Sequence, residues 1–263
     1  MPRDPIPHPV KYDLTGHVAR LTLDRPDRLN AITPGLFDGI EAGLSRATDD
    51  NARVVIMEGE GRAFCVGADM KNHAELDRSL AEKQAYVWSN QEACKRIQTY
   101  ERPVIAKVHG YAIGGGAEIA LSTDLIAASQ DAQFRFPETS LGSYITGGST
   151  YTLPQRVGVG TAKDLLMTGR WVDGDEAEEI GLVDRLAASD DLDEAVDEWA
   201  TAIAANAPIP IALVKEHLNS HHADRSLWLS REVEGLLTCM GTDDWQEGVD
   251  AFADDREPEY TGH

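Results

Sequence analysis

Residues 110–150 read GYAIGGGAEIALSTDLIAASQDAQFRFPETSLGSYITGGST, and this stretch decides both the fold and the chemistry that we predict. A buried-type strand, Pro103–Val108, leads into three consecutive glycines, and the pattern then predicts a helix that ends at Leu121. Glycines at the start of a helix let a ligand approach the backbone, and the helix N-terminus favours negative charge. Glu118 lies in the first turn of this helix, and Glu138 follows the apolar segment FRFP. The stretch therefore combines two carboxylates with a loop that can bind a ligand.

The two glutamates differ in their predicted surroundings. The helix dipole favours the charged form of Glu118, and helix capping is the plain structural interpretation of that residue. The apolar segment before Glu138 predicts desolvation, which would raise the pKa of its carboxyl group. One ionised and one readily protonated carboxylate would form a base and an acid for catalysis. Structural ion pairs and caps produce the same pattern, so the residues alone leave both interpretations open.

A second glycine-containing loop, residues 61–70 (GRAFCVGADM), follows another short buried-type strand, Arg53–Glu58. One backbone N–H from each loop would form an oxyanion hole for a carbonyl group that becomes an enolate. A tight strand-to-helix turn is the alternative explanation for the three glycines. Neither loop has the G-x-G-x-x-G or Walker pattern, so phosphate binding of those two kinds is not predicted.

The order of elements predicts an α/β fold. Val18–Asp24 alternates as a strand, Thr33 and Pro34 begin a helix, and strands alternate with helices through the first two-thirds of the chain. This order is typical of crossover β-α units with parallel strands. The last third is almost wholly helical, with helices predicted over 193–204, 209–221 and 227–239. We therefore predict a core domain over residues 1–195 and a C-terminal helical region over 196–263.

Composition and net charge indicate which classes of protein this chain can belong to. The 263 residues are 42% hydrophobic, which suits a folded domain, and their formal net charge is −21. Acidic clusters such as ASDDLDEAVDE suggest adaptation to high salt, and the alternative is a merely acidic surface. No basic patch offers a nucleic-acid site, and no apolar run approaches the ~20 residues of a membrane span. The three cysteines are widely separated and lack zinc-ligand spacing, which indicates reduced thiols and no metal. The N-terminus has no signal-like segment, so we predict a cytoplasmic protein.

The sequence resembles the enoyl-CoA hydratase/isomerase (crotonase) superfamily from about Val18 to Tyr260. The motifs that carry the resemblance are LDRPDRLNAI, GRAFCVGADM, RPVIAKVHGYAIGGGAEIALSTDLIAAS, AQFRFPETSLG and LPQRVG. The resemblance implies a ClpP/crotonase-like spiral of repeated β-β-α units, followed by a helical trimerisation region. It also implies binding of acyl-coenzyme A thioesters and assembly into a homotrimer or a dimer of trimers.

The resemblance also implies roles for individual residues. Backbone N–H groups of Ala68 and Gly115 would form the oxyanion hole, and Glu118 and Glu138 occupy both catalytic glutamate positions. The residues implied in coenzyme A binding are Arg28, Leu29, Val66, Ala68, Met70 and Lys71. Those implied in the acyl pocket are Tyr144, Ile145 and Thr146. In GSYITGG, Ile145 and Thr146 replace the Pro-Gly that is typical of the hydratases, which leaves the acyl specificity open.

The implied activity is that of an enoyl-CoA hydratase, a hydro-lyase of fatty acid β-oxidation or other acyl-CoA degradation. It would add water across the C2=C3 double bond of a trans-2-enoyl-CoA to give 3-hydroxyacyl-CoA. Glu118 would activate the water and Glu138 would deliver the proton, with no metal and no cofactor beyond the coenzyme A of the substrate. The alternatives are a Δ3-Δ2 enoyl-CoA isomerase, a lyase for branched, cyclic or aromatic acyl groups, and a non-catalytic CoA-binding subunit.

Overall fold

The structure is a computed structural model that describes residues 6, 8–69, 79–141, 143–219, 238, 242–254 and 256–263. Nearly all of the helix predicted over 227–239 lies outside these residues. Within the part of the chain that the structure describes, no helix has the length and apolar character of a membrane span.

A six-stranded sheet forms the centre of the fold. In spatial order its strands are β1 (Val10–Thr15), β2 (Val18–Leu23), β3 (Val54–Gly59), β4 (Val104–Val108), β6 (Leu125–Ser129) and β9 (Arg185–Ala187). Strand β1 is antiparallel to β2, and every other neighbouring pair is parallel. The parallel pairing confirms the prediction from the order of elements. Because parallel strands end at the same edge of a sheet, the loops that follow β3 and β4 lie side by side.

A second sheet of three short strands was not predicted. It consists of β5 (Tyr111–Ile113), β7 (Gln133–Arg135) and β8 (Trp171–Asp173), with β7 in the middle. Strands β5 and β7 are parallel, and β7 and β8 are antiparallel. Each strand has three residues, which is too short to show an alternating pattern in the sequence. The segment GYAI was therefore interpreted as loop, although it is paired backbone.

Eight helices surround the sheets in the described ranges. They are α1 (Pro34–Asp49), α2 (Leu80–Gln98), α3 (Gly115–Leu121), α4 (Ser149–Thr168), α5 (Gly174–Glu179), α6 (Leu192–Ala204), α7 (Pro208–Asn219) and α8 (Asp243–Ala253). Helix α4 consists of two helical segments joined at a kink, since the backbone of Gly158 is not helical (φ 77°, ψ 157°). The start of α1 is confirmed, with Thr33 extended at the N-cap and Pro34 in the first turn.

The six-stranded sheet is buried on both faces. On β3, Val55 and Met57 belong to the larger core cluster, which includes apolar residues of α1, α2 and α4. Val54 and Ile56 point to the opposite face and pack with apolar residues of α6. Burial on both faces is typical of parallel sheets, and it explains the continuous apolar run of β3.

Helix α7 is joined to this core by a buried ion pair. The Nζ atom of Lys215 lies 2.7 Å from Oδ2 of Asp124 and donates to the carbonyl oxygen of Arg102 at 2.9 Å. The same carboxylate oxygen accepts the N–H of Val104 at 2.7 Å. Burial lowers the pKa of Lys215 and raises the pKa of Asp124, because loss of hydration outweighs the attraction between the two charges.

We expect Lys215→Met to lower the free energy of unfolding by about 3–5 kcal/mol, because Asp124 would keep a buried charge without its cation. The double variant Lys215→Met/Asp124→Asn should lower the free energy of unfolding by less, since the amide oxygen can still accept the Val104 N–H without a charge. Urea unfolding of both variants measures the difference. An equal loss in the single and double variants would contradict a dominant charge effect.

A second prediction concerns salt. Helix α6 exposes Glu194 and Glu198, four residues apart, on a chain whose formal net charge is −21. Because the Debye length falls from about 10 Å at 0.1 M salt to about 3 Å at 1 M, KCl should screen their mutual repulsion and raise the melting temperature. Glu194→Gln/Glu198→Gln should make this rise smaller. A melting temperature that stays constant or falls with KCl would contradict the salt-adapted interpretation.

Candidate active site

Two glycine-containing loops meet beyond the ends of β3 and β4. The N–H of Cys65 donates to the carbonyl oxygen of Tyr111 at 3.0 Å, and the N–H of Ile113 donates to that of Cys65 at 3.0 Å. A Cβ atom on Gly67 would lie 2.6 Å from the carbonyl oxygen of Ile113 and 3.1 Å from the backbone nitrogen of Gly115. The two loops are therefore in direct contact, as their positions after neighbouring strands predict.

The two backbone groups predicted for the oxyanion hole lie in these loops. Gly115 is the first residue of α3, so its N–H is one of the groups that a helix leaves without an internal partner. Ala68 follows Gly67 directly and forms a parallel bridge with Ile32. The structure brings the loops of both residues together, and the oxyanion role itself stays a prediction.

The turn that holds Arg28 and Leu29 packs beside the first of these loops. Arg28 is exposed, Leu29 has a φ of 51°, and the N–H of Val66 donates to the carbonyl oxygen of Leu29 at 3.2 Å. The buried Asn30 fixes the turn, since its side chain accepts the N–H of Arg25 at 2.8 Å and donates to the carbonyl oxygen of Ala63 at 2.8 Å. Three predicted coenzyme A residues thus adjoin one another.

Two further residues predicted to bind coenzyme A, Met70 and Lys71, lie outside the described residues.

Glu118 is buried, and its carboxylate accepts three hydrogen bonds. The N–H of Thr146 donates to Oε1 at 2.7 Å, and the hydroxyl of Thr146 donates to Oε2 at 2.7 Å. The Nδ2 atom of Asn90 donates to Oε2 at 2.8 Å. Donors to both oxygens satisfy the charged form of the group. Glu118 thus connects α3 to Asn90 of α2 and to Thr146 in the loop before α4, which is more than capping α3.

Helix α2 also holds the loop that contains Thr146. Oε1 of Gln91 accepts the N–H of Gly147 at 3.0 Å, and Nε2 of Gln98 donates to the carbonyl oxygen of Gly147 at 3.0 Å. A side chain at Gly147 has no room, since its Cβ would lie 3.0 Å from Sγ of Cys94 and 3.1 Å from Cβ of Glu118. Gly147 also has a φ of 63°, which favours glycine.

Glu138 has the opposite environment. It begins a short 3-10 turn, and its Oε1 lies 2.8 Å from where a Cβ on Gly114 would be. The buried Oε2 accepts no hydrogen bond from any residue that the structure describes. Burial raises the pKa of Glu138 to about 7, and the negative charge of Glu118 adds to this rise. The rise agrees with the desolvation that FRFP predicts.

A cavity of about 400 Å³ adjoins Glu138 and is walled mainly by α4. Two predicted acyl-pocket residues line it: Ile145 is buried, and Tyr144 has 73% of its surface exposed. Thr146 is not among the lining residues of this cavity and its hydroxyl donates to the Glu118 carboxylate at 2.7 Å, so its acyl-pocket role stays a prediction. The rest of the lining is Thr139, Thr150, Pro154, Val159, Ala162, Lys163, Leu166 and Met167.

The contribution of α2 to the site is not among the predictions from the sequence. The available signal was the position of Asn90 and Gln98, each one helical turn from Cys94 and on the same face of the helix. Cys94 is buried on this face, so Asn90 and Gln98 are directed towards the interior, where polar groups need partners.

Cys65, in the first glycine loop, is not suited to act as a nucleophile. Its thiol is fully buried, and burial raises its pKa to about 12, so the thiol keeps its proton near neutrality. Within the described ranges, no group of histidine, cysteine, aspartate and glutamate side chains is arranged to hold a metal ion.

Residues 13–263 match the family described as Enoyl-CoA hydratase/isomerase. The chain is 34% identical over 253 residues to the short-chain-enoyl-CoA hydratase of Clostridium acetobutylicum, covering 95% of this chain and 96% of that protein. It is 31% identical over 249 residues to the 2,3-dehydroadipyl-CoA hydratase of Escherichia coli, covering 93% of this chain and 95% of that protein. The crystal structure of an enoyl-CoA hydratase from Bacillus anthracis superimposes with a TM-score of 0.92 at 33% identity, covering 97% and 99% of the two chains.

The raised pKa of Glu138 predicts a pH dependence of stability. Because the folded state binds this proton more tightly than the unfolded state, the resulting stability is fully present below about pH 4 and is lost as the pH rises through about 7. Glu138→Gln cannot ionise, so its free energy of unfolding relative to the wild type should increase by on the order of 2 kcal/mol between about pH 5 and pH 8. Denaturant unfolding at several pH values checks this. A pH-independent difference between the two proteins would contradict the raised pKa.

Proposed function

Because this chain belongs to the enoyl-CoA hydratase/isomerase family, we propose that it is an enoyl-CoA hydratase. It would add water across the C2=C3 double bond of a trans-2-enoyl-CoA to give a 3-hydroxyacyl-CoA. The observation that supports this best is the contrast between two neighbouring carboxylates. Glu118 accepts three hydrogen bonds that suit its charged form, whereas Glu138 is desolvated and has a pKa of about 7.

In the proposed mechanism, the backbone N–H groups of Ala68 and Gly115 donate to the thioester carbonyl oxygen. They stabilise the negative charge that develops on this oxygen when the double bond is attacked. Glu118 removes a proton from water while the water oxygen bonds to C3, and Glu138 gives its proton to C2. Proton exchange between the two carboxylates and solvent then restores the starting state.

Binding of coenzyme A would use the turn and the first glycine loop. We propose that exposed Arg28 approaches the phosphates, and that Leu29, Val66 and Ala68 line the nucleotide and pantetheine path. Met70 and Lys71 complete the proposed set from sequence. The reaction as proposed requires no metal and no cofactor beyond the coenzyme A of the substrate.

The cavity beside Glu138 supports a substrate with an apolar acyl group. Ile145, Leu166 and Met167 are among its walls, and its volume is about 400 Å³. Two relatives are named for a short-chain and for a dicarboxylic enoyl-CoA substrate, and both kinds are candidates here. We further propose a homotrimer or a dimer of trimers, assembled through residues 196–263, that acts in cytoplasmic acyl-CoA degradation.

A Δ3-Δ2 enoyl-CoA isomerase is the second candidate. A carboxyl group with a pKa of about 7 can both accept and return a proton near neutrality, so Glu138 alone could move the double bond. That reaction has no role for a base that activates water, and it leaves the three donors to Glu118 without a catalytic purpose.

The test uses crotonyl-CoA, in low and in molar KCl, and follows the loss of the conjugated thioester absorbance with product mass. We expect a gain of one water. Glu118→Gln and Glu138→Gln should each lower kcat by about 10²–10⁴-fold with little change in KM, since each loses a proton-transfer group.

The alternatives give different results when a 3-enoyl-CoA substrate and a binding measurement are added to this assay. An isomerase would convert a 3-enoyl-CoA without mass change and would keep that activity in Glu118→Gln. A non-catalytic CoA-binding subunit would bind the thioester without turnover. Unchanged hydration in both glutamine variants would refute the proposed mechanism.

A further inference from the structure

Glu118 is held by side chains from two segments that are distant in sequence, helix α2 and the loop before α4. We propose that Asn90 and Thr146 are positioning residues that fix Glu118 as the ionised, water-activating member of the glutamate pair. This inference rests on the proposed hydratase function.

The three side chains form a closed triangle of hydrogen bonds. Nδ2 of Asn90 donates one hydrogen to Oε2 of Glu118 at 2.8 Å and the other to Oγ1 of Thr146 at 2.6 Å. The Thr146 hydroxyl donates a hydrogen bond to the same Oε2 at 2.7 Å. Every hydrogen in the triangle points to the carboxylate or to the hydroxyl that serves it. Both side-chain partners of Oε2 therefore act as donors to it, which suits a carboxylate oxygen.

The same triangle directs the free acceptor position of the carboxylate. A carboxylate has about four acceptor positions, two on each oxygen. Asn90 and Thr146 fill both positions of Oε2, whereas among the described residues Oε1 receives only the backbone N–H of Thr146, at 2.7 Å. One position on Oε1 therefore remains for the reacting water. The two positioning residues thus select which oxygen acts as the base.

Helix α2 gives this triangle a rigid support. Asn90 is 8% exposed, and it is one of the few buried polar residues in the described part of the chain. On the same helix Gln91 and Gln98 bind the two backbone polar groups of Gly147, the residue after Thr146. Asn90 and Thr146 are therefore fixed relative to each other before any substrate arrives, which is what precise positioning of a base requires.

The contrast with Glu138 shows what the triangle accomplishes. The buried Oε2 of Glu138 has no donor among the described residues, and burial raises the pKa of Glu138 to about 7. Glu118 is more deeply buried than Glu138, and burial removes the hydration of a carboxylate. Asn90 and Thr146 supply the donors that replace this hydration and so give the two carboxylates different surroundings.

The experiment compares Thr146→Val, Thr146→Ser and Asn90→Leu with the wild type, using crotonyl-CoA. Thr146→Val removes the hydroxyl and keeps the shape and the backbone N–H, whereas Thr146→Ser keeps the hydroxyl. We expect Thr146→Val and Asn90→Leu to lower kcat by about 10–100-fold with KM within about threefold, and Thr146→Ser to stay within about threefold of the wild type. Glu92→Gln, an exposed substitution on the same helix, is the matched control and should leave kcat unchanged.

A double-variant cycle separates positioning from general structure. In the Glu118→Gln background, adding Thr146→Val or Asn90→Leu should lower kcat by less than about twofold, because the carboxylate through which they act is gone. A purely structural role would give the full loss again in that background, and it would overturn the inference. Wild-type kcat in both single variants would also overturn it.

These results are distinguishable from failure of the proposed function. If the wild type hydrates no enoyl-CoA, the hydratase proposal falls and this inference falls with it. If the wild type and Glu118→Gln behave as expected while the Asn90 and Thr146 variants keep full activity, only the positioning role is wrong. Thermal melting of each variant, monitored by circular dichroism, shows whether it is folded under the assay conditions.

Discussion

The close approach of two backbone segments is the constraint on which the whole site depends. A Cβ atom on Gly116 would lie 2.0 Å from the carbonyl oxygen of Cys65, and one on Gly110 would lie 2.1 Å from that of Arg62. Both contacts are with backbone, so no rotation of a side chain could relieve them. The loop after β3 can therefore lie against the start of α3 only because these positions are glycine. The contact sets the places of Ala68, Gly115 and Glu118 together.

Two negatively charged carboxylates buried so near each other would repel. Hydrogen bonding differs between the two groups. Glu118 keeps its place through donors from α2 and from the loop before α4, which replace the water that burial removes. The buried Oε2 of Glu138 has no such donor among the described residues, and burial makes Glu138 a weaker acid instead. The same physical cost, desolvation of a carboxylate, thus has two outcomes within one site, and the difference comes from hydrogen bonding.

The sequence was sufficient for the features that depend on local pattern. The apolar run of β3, the Pro34 helix start and the glycines before Glu118 each have one strong local explanation, and all three predictions agree with the structure. The three-residue strands of the small sheet were missed because they are defined by pairing between distant segments. Asn90 was missed for the same reason, since its partners lie 28 and 56 residues away along the chain. The acyl-pocket role of Thr146 stays a prediction from its place in a motif, and its hydrogen bond to Glu118, 28 residues away along the chain, has no local signal in the sequence.

The hydrogen-bonded triangle has a consequence for how such a site can change during evolution. Asn90 and Thr146 lie on separate segments, yet each supplies a donor that the other cannot replace, and they bond to each other as well as to Glu118. A replacement at one position alone leaves an unsatisfied polar group in the interior. Descendants of this sequence can therefore pass from Thr146 to a different loop chemistry only if position 90 changes too. The two positions should be inherited as a pair, and the identity of one in a relative should foretell the identity of the other.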